Sequence, residues 1–357
     1  MLDLNLDVAK ALADGLLRWY AGAARPLPWR NTRDPYAIFL SEIILQQTRV
    51  AQGLPYYERF IEAYPTVGAL AEAPDDDVMR LWQGLGYYSR ARNMLKAGRQ
   101  VAITGWPQTA AGLVKLPGVG PYTAAAIASF AFGEAVPVLD GNVARVLSRW
   151  LDCDQDILKP ATQAFMREAG ALLMKGQDPA TFNQAMMEFG ALQCTPGLPP
   201  CLACPVRDLC LAFERRTVPL RPVKAKAAAK RERQFLYLVI RDGTGNFLVR
   251  QRTDKDIWKG LYEFVLLEGQ GQMPSLEEGQ REVQALVHGP ARMAPTLLWS
   301  GKHVLTHQTI CIEARAAWVD SIKPVIELPY RWVSAEAWEA LGKPVPMLHI
   351  TKAHLDG

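Results

Sequence analysis

The chain has 357 residues, 49% hydrophobic and 21% charged, with 40 Lys and Arg against 36 Asp and Glu for a formal charge of +4. That length exceeds one ordinary core and predicts two domains of roughly 100–200 residues each. The composition is that of a soluble globular protein, the lack of a long apolar run excludes a transmembrane helix, and the mild basicity permits nucleic acid as a partner without demanding it.

The opening segment, Met1 to Asp7, is acidic and has no basic stretch before an apolar run. No secretory signal is expected, and the expectation is a soluble, cytoplasmic protein. Up to Phe213 the sequence reads as mainly helical. Val8, Leu12, Leu16 and Trp19 form one face between Asp7 and Tyr20. Helices are expected over Tyr36–Val50, Asp75–Leu85, Ala91–Val101, Val143–Leu151, Pro160–Leu173 and Ala180–Ala191. Leu113–Phe132 is broken by Pro117-Gly118-Val119-Gly120-Pro121 and reads as helix, tight turn, helix.

Arg215–Arg233 holds eight basic residues and one acid, with a low-complexity stretch Lys224–Lys230. It reads as a solvated linker or as a contact to DNA phosphates. Beyond Gln234 the texture becomes that of an α+β domain. Phe235–Ile240 and Asn246–Arg250 flank Asp242-Gly243 and read as a hairpin. Further strands are expected at Leu261–Leu267 and Thr309–Val319, with helices at Ser275–His288 and Ser334–Leu341.

Four of the six cysteines crowd together as Cys194-x6-Cys201-x2-Cys204-x5-Cys210. Without an export signal, metal binding is favoured over disulfides. Four thiolates suit a tetrahedral zinc, a 4Fe–4S cluster, or a set of plain buried thiols. The single short knuckle and long outer spacings favour the cluster.

Three further features carry chemistry. Gly118 and Gly120 permit a tight turn whose following helix start offers free N–H groups, either to a nucleic-acid backbone or simply as an αα-hairpin. Glu42 sits in the apolar run Phe39–Leu45, where it is either desolvated, raising its proton affinity, or exposed on the outer helix face. Asp140 precedes Gly141-Asn142-Val143 and suits a helix N-cap, a position that keeps a carboxylate ionised. One protonated and one ionised carboxyl is the pairing that glycosidic bond cleavage needs.

Taken together, Leu27-Pro-Trp-Arg30, Leu40-Ser-Glu-Ile-Ile-Leu-Gln-Gln-Thr48, Gly84-Leu-Gly-Tyr-Tyr88, Leu116–Gly120, Leu139-Asp-Gly-Asn-Val143 and the four cysteines resemble the MutY family of adenine DNA glycosylases, within the endonuclease III helix–hairpin–helix superfamily. The likeness runs from about Pro28 to Cys210 and more loosely to the C-terminus. It implies a mainly α glycosylase domain over residues 1–213, made of a six-helix barrel from about Pro26 to Gly133 and a second helical lobe joining the N-terminal helix to Glu134–Phe213. One 4Fe–4S cluster is implied in the loop 194–210. A basic linker over 214–233 and a Nudix-like α+β domain over 234–357 would follow.

The resemblance also implies roles. Glu42 matches the proton donor to adenine, Asp140 the carboxylate that stabilises the oxocarbenium-like sugar, and Asn142 a residue that orders this carboxylate and water. Tyr122 falls where a hydrogen-bonding group meets the reaction centre. Arg30 matches an arginine near the adenine pocket, Gln47 and Thr48 reach the 8-oxoguanine side with Gln46 nearby, and Tyr87 matches an aromatic wedge. The implied partner is duplex DNA carrying adenine opposite 8-oxoguanine or guanine, bound by a monomer, with the adenine flipped out for hydrolysis. Endonuclease III carries a catalytic lysine where this chain has Tyr122, so a monofunctional enzyme is expected. Glu282 belongs to only a fragment of the Nudix acidic motif, which predicts recognition of 8-oxoguanine without magnesium-dependent hydrolysis.

The chain departs from the family pattern twice. Thr195–Pro200 has no basic residue, and Leu305-Thr306-His307 stands where relatives usually carry Phe-Ser-His or similar. Thr306 and His307 read as a loop tip, a plain polar turn on sequence alone, and the base-recognition loop on the resemblance. The competing readings are a related glycosylase acting on thymine opposite guanine and a non-catalytic iron–sulfur damage sensor.

Overall fold

The computed structural model describes residues 5–225, 230–253, 256–320 and 329–356. The middle of the Lys224–Lys230 stretch therefore lies outside the described residues. The chain divides into two compact units, Met1–Glu72 with Asn93–Ala227, and Ala73–Arg92 with Ala228–Gly357. Ala73–Arg92 thus groups with the C-terminal residues. Among the described residues no helix is long and apolar enough to cross a membrane.

The helices up to residue 214 are α1 (Leu6–Ala23), α2 (Pro35–Leu45), α3 (Val50–Ala63), α4 (Val67–Glu72), α5 (Asp75–Leu81), α6 (Ser89–Thr104), α7 (Ala110–Leu113), α8 (Pro121–Phe132), α9 (Gly141–Trp150), α10 (Pro160–Met174), α11 (Pro179–Leu192) and α12 (Leu211–Glu214). The helix expected over Tyr36–Val50 stops at Leu45, because Gln47 adopts a left-handed backbone with φ of 57°. A separate helix, α3, follows, and it went unread because Gly53 and Pro55 sit inside it.

The first unit is built around α2 and α8. Asp34 caps α2 by accepting from the Tyr36 N–H at 3.0 Å, and Pro35 takes the first helical position. Tyr36 to Ile44 are all buried, so α2 runs through the interior with only Ser41 and Glu42 polar along that stretch. The Ala124-Ala125-Ala126 run of α8 keeps side chains small where α8 meets α2 and α11. The N-terminal α1 packs on α10 and α11, joining the lobe that the resemblance implied for it. Each fully buried leucine or isoleucine in such a core is worth roughly 1.5–3 kcal/mol.

Among its described residues, the segment read as a solvated linker is tied to the first unit at several points up to Val223. Arg221 Nε pairs with Asp152 at 2.9 Å, Thr217 Oγ1 donates to the same carboxylate at 2.5 Å, and Val223 forms a parallel bridge with Asp156. At the other end, Arg231–Arg233 already belongs to a strand. The charges of this stretch that look free in sequence are thus partly consumed by Asp152.

The second unit contains β1 (Arg231–Arg241), β2 (Phe247–Gln251), β3 (Tyr262–Gly269), α13 (Leu276–Val287), β4 (Ala291–Met293), β5 (Trp299–Val304), β6 (Gln308–Val319), β7 (Tyr330–Val333), α14 (Ala335–Ala340) and α15 (Val345–Asp356). The sheet order is β4-β6-β1-β3-β2-β7, with β5 also paired to β6. β1 is parallel to β6 and antiparallel to β3. The expected hairpin is corrected accordingly. β1 meets β2 only at Arg241 and Phe247, and β3 lies between them for the rest of their length. The turn itself holds, because the Asp242 carboxylate accepts from the backbone of Thr244 and Asn246. α13 covers the sheet face bearing Leu236, Leu238 and Ile240, and residues of α14 and α15 cover the face bearing Phe235, Tyr237 and Val239. β1 is therefore buried on both sides, which explains its continuous apolar run.

Candidate active site

A cavity of about 840 Å³ in the first unit is lined by Glu42, Tyr122, Asp140 and Asn142, together with Arg25, Arg30, Gln46, Gln47, Thr48, Met187 and Glu188. Glu42 lies in the middle of α2 and is 5% exposed. Burial pushes its carboxyl up to about 7, and the nearby Asp140 charge adds to this, against a hydrogen bond from Tyr122 that favours the ionised form. The exposed alternative for Glu42 is therefore excluded. Tyr122 stands in the first turn of α8, and burial and both carboxyls push its phenol well above the usual range.

Asp140 is the N-cap of α9. Its Oδ1 accepts from the Val143 N–H at 2.7 Å, and its Oδ2 accepts from Asn142 Nδ2 at 2.9 Å. Burial is the largest influence and leaves its carboxyl above the usual carboxylate range, although these two donors and the Arg145 charge act to lower it. Asn142 is fixed from its other end, where Oδ1 accepts from Arg145 Nη2 at 2.9 Å. The same guanidinium donates to Gly190 O at 2.6 Å and Cys194 O at 2.8 Å. Gly190 leaves room for this arrangement, since a Cβ there would lie 2.7 Å from Asn142 Cβ and 3.0 Å from its backbone.

On the cavity's α11 side, Glu188 has a side chain 1% exposed and pairs with Arg25 at 2.5 Å and Arg30 at 2.8 Å. Burial alone would raise this carboxyl, but the two guanidinium groups outweigh it and hold it at about 2. Gln46 Nε2 donates to Thr123 Oγ1 at 3.1 Å. Gly118 and Gly120 are not among the lining residues. They sit at the exposed turn leading into α8, where Gly118 takes a φ of 76° and a Cβ would lie 2.7 Å from Asn93 Cβ.

The four cysteines surround a second, smaller cavity with Arg149, Trp150 and Phe213. Burial pushes Cys204 up to about 12 and Cys210 up to about 11, and each feels the charge of Cys194 and Cys201. Arg149 anchors the loop by donating to Cys194 Sγ at 3.4 Å, Thr195 O at 2.8 Å and Gly197 O at 3.1 Å. Among the described residues no three such ligands come close enough to hold a single metal ion. A lone zinc at about 2.3 Å from each sulfur would draw the thiolates to within about 4 Å of one another. Four cysteine sulfurs around one cavity supply the donor set that either a 4Fe–4S cluster or a tetrahedral zinc takes.

Tyr87, Thr306 and His307 belong to the second unit. Thr306 and His307 are exposed in the tight connection between β5 and β6, as a loop tip should be. Tyr87 is 44% exposed, has a left-handed backbone with φ of 47°, and its hydroxyl hydrogen-bonds that of Thr306. Arg90 holds the turn that presents it by donating to Leu85 O at 3.1 Å and Gly86 O at 3.2 Å.

Residues 40–171 match the HhH-GPD superfamily of base excision DNA repair proteins, and residues 236–353 match the NUDIX domain. An adenine DNA glycosylase of Buchnera aphidicola (Baizongia pistaciae) is 31% identical over 303 residues, covering 83% of this chain and 83% of that protein. This chain belongs to the adenine DNA glycosylase family. The human adenine DNA glycosylase is 45% identical over 226 residues, covering 58% of this chain and 41% of its own length, and the Arabidopsis thaliana protein is 36% identical over 291 residues, covering 70% and 46%. The chain thus spans less than half the length of these two relatives. Among solved structures, a thermostable thymine-DNA glycosylase matches with a TM-score of 0.54 and 29% identity, over 58% of this chain and 98% of that one. An endonuclease III–DNA complex matches in fold with a TM-score of 0.51 and 24% identity, over 60% and 98%.

Within this adenine DNA glycosylase family member, the cavity brings together every expected residue of the first unit except the hairpin glycines and the cysteines. Sequence reasoning missed Glu188, Arg25, Met187 and Arg145. Glu188 carried a usable signal, because it is an acid inside the apolar stretch Ala185–Phe189, the same circumstance that drew attention to Glu42.

Proposed function

We propose that this chain is a monofunctional base excision repair glycosylase that hydrolyses the N-glycosidic bond of adenine opposite 8-oxoguanine or guanine in duplex DNA. The observation that carries the proposal is the pairing of two carboxyls in one cavity. Burial raises both carboxyls, Glu42 up to about 7, while Asp140 is bound by the Val143 N–H, the Asn142 amide and the Arg145 charge, which favour its ionised form.

The adenine must leave the stack, since its glycosidic bond is inaccessible in the duplex. Glu42 then donates its proton to the base as the bond breaks, and the bonding electron pair leaves with adenine. The sugar becomes cationic, and Asp140 lies at hand to stabilise it, with Asn142 fixing the carboxylate and ordering water. Water adds to the sugar and gives its proton to the Glu42 carboxylate, which restores the acid and leaves an abasic site. Tyr122 has no amine with which to form an imine, so strand cleavage does not follow.

Cys194, Cys201, Cys204 and Cys210 would hold the 4Fe–4S cluster, which when bound cross-links the loop through four iron–thiolate bonds. Gly118 and Gly120 would meet a DNA phosphate, Tyr87 would wedge the duplex, and Gln46, Gln47 and Thr48 would approach the 8-oxoguanine side. Thr306 and His307 would read the lesion.

The likeness to a thymine-DNA glycosylase supports a second reading, thymine removal opposite guanine. Base release from duplexes carrying each mismatch, with enzyme in excess, separates the two. Free adenine with an uncut abasic strand supports the first reading, and free thymine supports the second.

A further inference from the structure

Met187 on α11 faces the cavity, and its sulfur accepts a hydrogen bond from the Tyr122 hydroxyl at 3.8 Å. Tyr122 also interacts with the Glu42 carboxyl. A phenol has one proton to donate but can accept as well. When Glu42 is ionised, its charged oxygen is the stronger acceptor and accepts the hydrogen bond of the phenol O–H. When Glu42 is protonated, its own O–H must donate, and the phenol oxygen becomes the acceptor. The phenol proton then needs somewhere else to go, and the thioether is the acceptor within reach.

We propose that Met187 is a positioning residue for the Glu42 acid, because its Sδ accepts the hydrogen bond of the Tyr122 O–H in the state where Glu42 holds the proton to be transferred. The thioether is a weak acceptor, which suits this task. It satisfies the phenol when Glu42 is an acid and yields when Glu42 is a base. The other charged groups lining the cavity are Asp140, Glu188, Arg25, Arg30 and Arg49, the last just before α3. Asp140 lies at the start of α9 with its own donors, and Glu188 is paired with Arg25 and Arg30.

The inference gives Met187 a role in the proposed reaction, so it rests on that function, but its test needs no substrate. The full chain carrying 13C-labelled glutamate carboxyls is titrated by NMR, with the Glu42 resonance assigned by its loss in Glu42→Gln. The wild-type midpoint is expected at about 7. In Met187→Leu the acid form loses the acceptor for Tyr122, and the midpoint moves down by about half a pH unit. Met187→Gln restores an acceptor, and the midpoint returns to the wild-type value or above it. In a Tyr122→Phe background, Met187→Leu produces no shift.

An unchanged or raised midpoint in Met187→Leu would make the side chain mere apolar filling and overturn the proposal. So would a downward shift that persists without the phenol. A wild-type chain that releases no adenine would sink the proposed reaction while leaving the midpoints readable.

Discussion

Arg145 Nη2 donates to Asn142 Oδ1 at 2.9 Å, and its Nε donates to Cys194 O at 2.8 Å. A single buried guanidinium thus ties the residue that orients Asp140 to the first cysteine of the loop. The placement follows from helix geometry, because positions 142 and 145 are one turn apart on α9 and share a face.

Replacing this fork should therefore damage the two sites together. Arg145→Met leaves the carbonyls of Gly190 and Cys194 without their charged donor, and each such buried loss costs about 1–3 kcal/mol. Urea unfolding should show a loss of roughly 2–4 kcal/mol, and single-turnover adenine release should fall further than stability alone explains. Arg145→Lys should recover part of the stability but little of the activity, since an ammonium cannot span the same three acceptors.

The proton on Glu42 sets the pH dependence. Its folded-state value is raised from 4.5 to about 7, so the folded protein binds the extra proton between these limits. The sign follows directly: stability from this group is complete below about 4.5 and is lost as the pH rises through about 7. Glu42→Gln should therefore abolish adenine release and retain duplex binding, yet be more stable than wild type at pH 8 by up to about 3 kcal/mol. Thermal unfolding at pH 5 and pH 8 checks this, because the gain should shrink at the lower pH. For the wild type, single-turnover rate should fall as the pH rises above about 7.

Gly190 tests how tightly the Asp140 support is packed. A methyl group at this position would press on the Asn142 backbone at 3.0 Å, which has no flexible end to yield. Gly190→Ala should lower single-turnover rate by about tenfold or more and cost roughly 1–3 kcal/mol in urea. Equal activity in the variant would show that the start of α9 shifts freely.

Thr306 and His307 offer exposed donors and acceptors at the β5–β6 connection, and 8-oxoguanine differs from guanine in groups that exchange donor and acceptor character. The double change Thr306→Ala, His307→Ala should reduce the preference for adenine opposite 8-oxoguanine over adenine opposite guanine. Competition between the two duplexes measures it. An undiminished preference would assign discrimination to residues of the first unit.

Much of this architecture was legible locally. Glu42 in an apolar run and Asp140 before a helix both led to the cavity, because burial and capping are set by immediate neighbours. The rest depends on long-range contacts. Arg145 earns its place through carbonyls 45 and 49 residues away, which no local pattern encodes. The pairing of β1 with β3 and β6 was hidden for the same reason, since a turn after Ile240 suggested the nearest strand as partner. α3 was masked by its own Gly53 and Pro55, whose low helix propensity is overridden by the packing of Tyr57 and Phe60.

Joint action of Glu42 and Asp140 in releasing adenine is the step on which the proposed reaction depends. It is tested most directly by base release under enzyme excess from a duplex with adenine opposite 8-oxoguanine, for wild type, Glu42→Gln and Asp140→Asn. Wild type should free adenine and leave the abasic strand uncut, while either variant falls by at least about 10²-fold with duplex binding intact. Near-normal release by either variant would remove that carboxyl from the reaction.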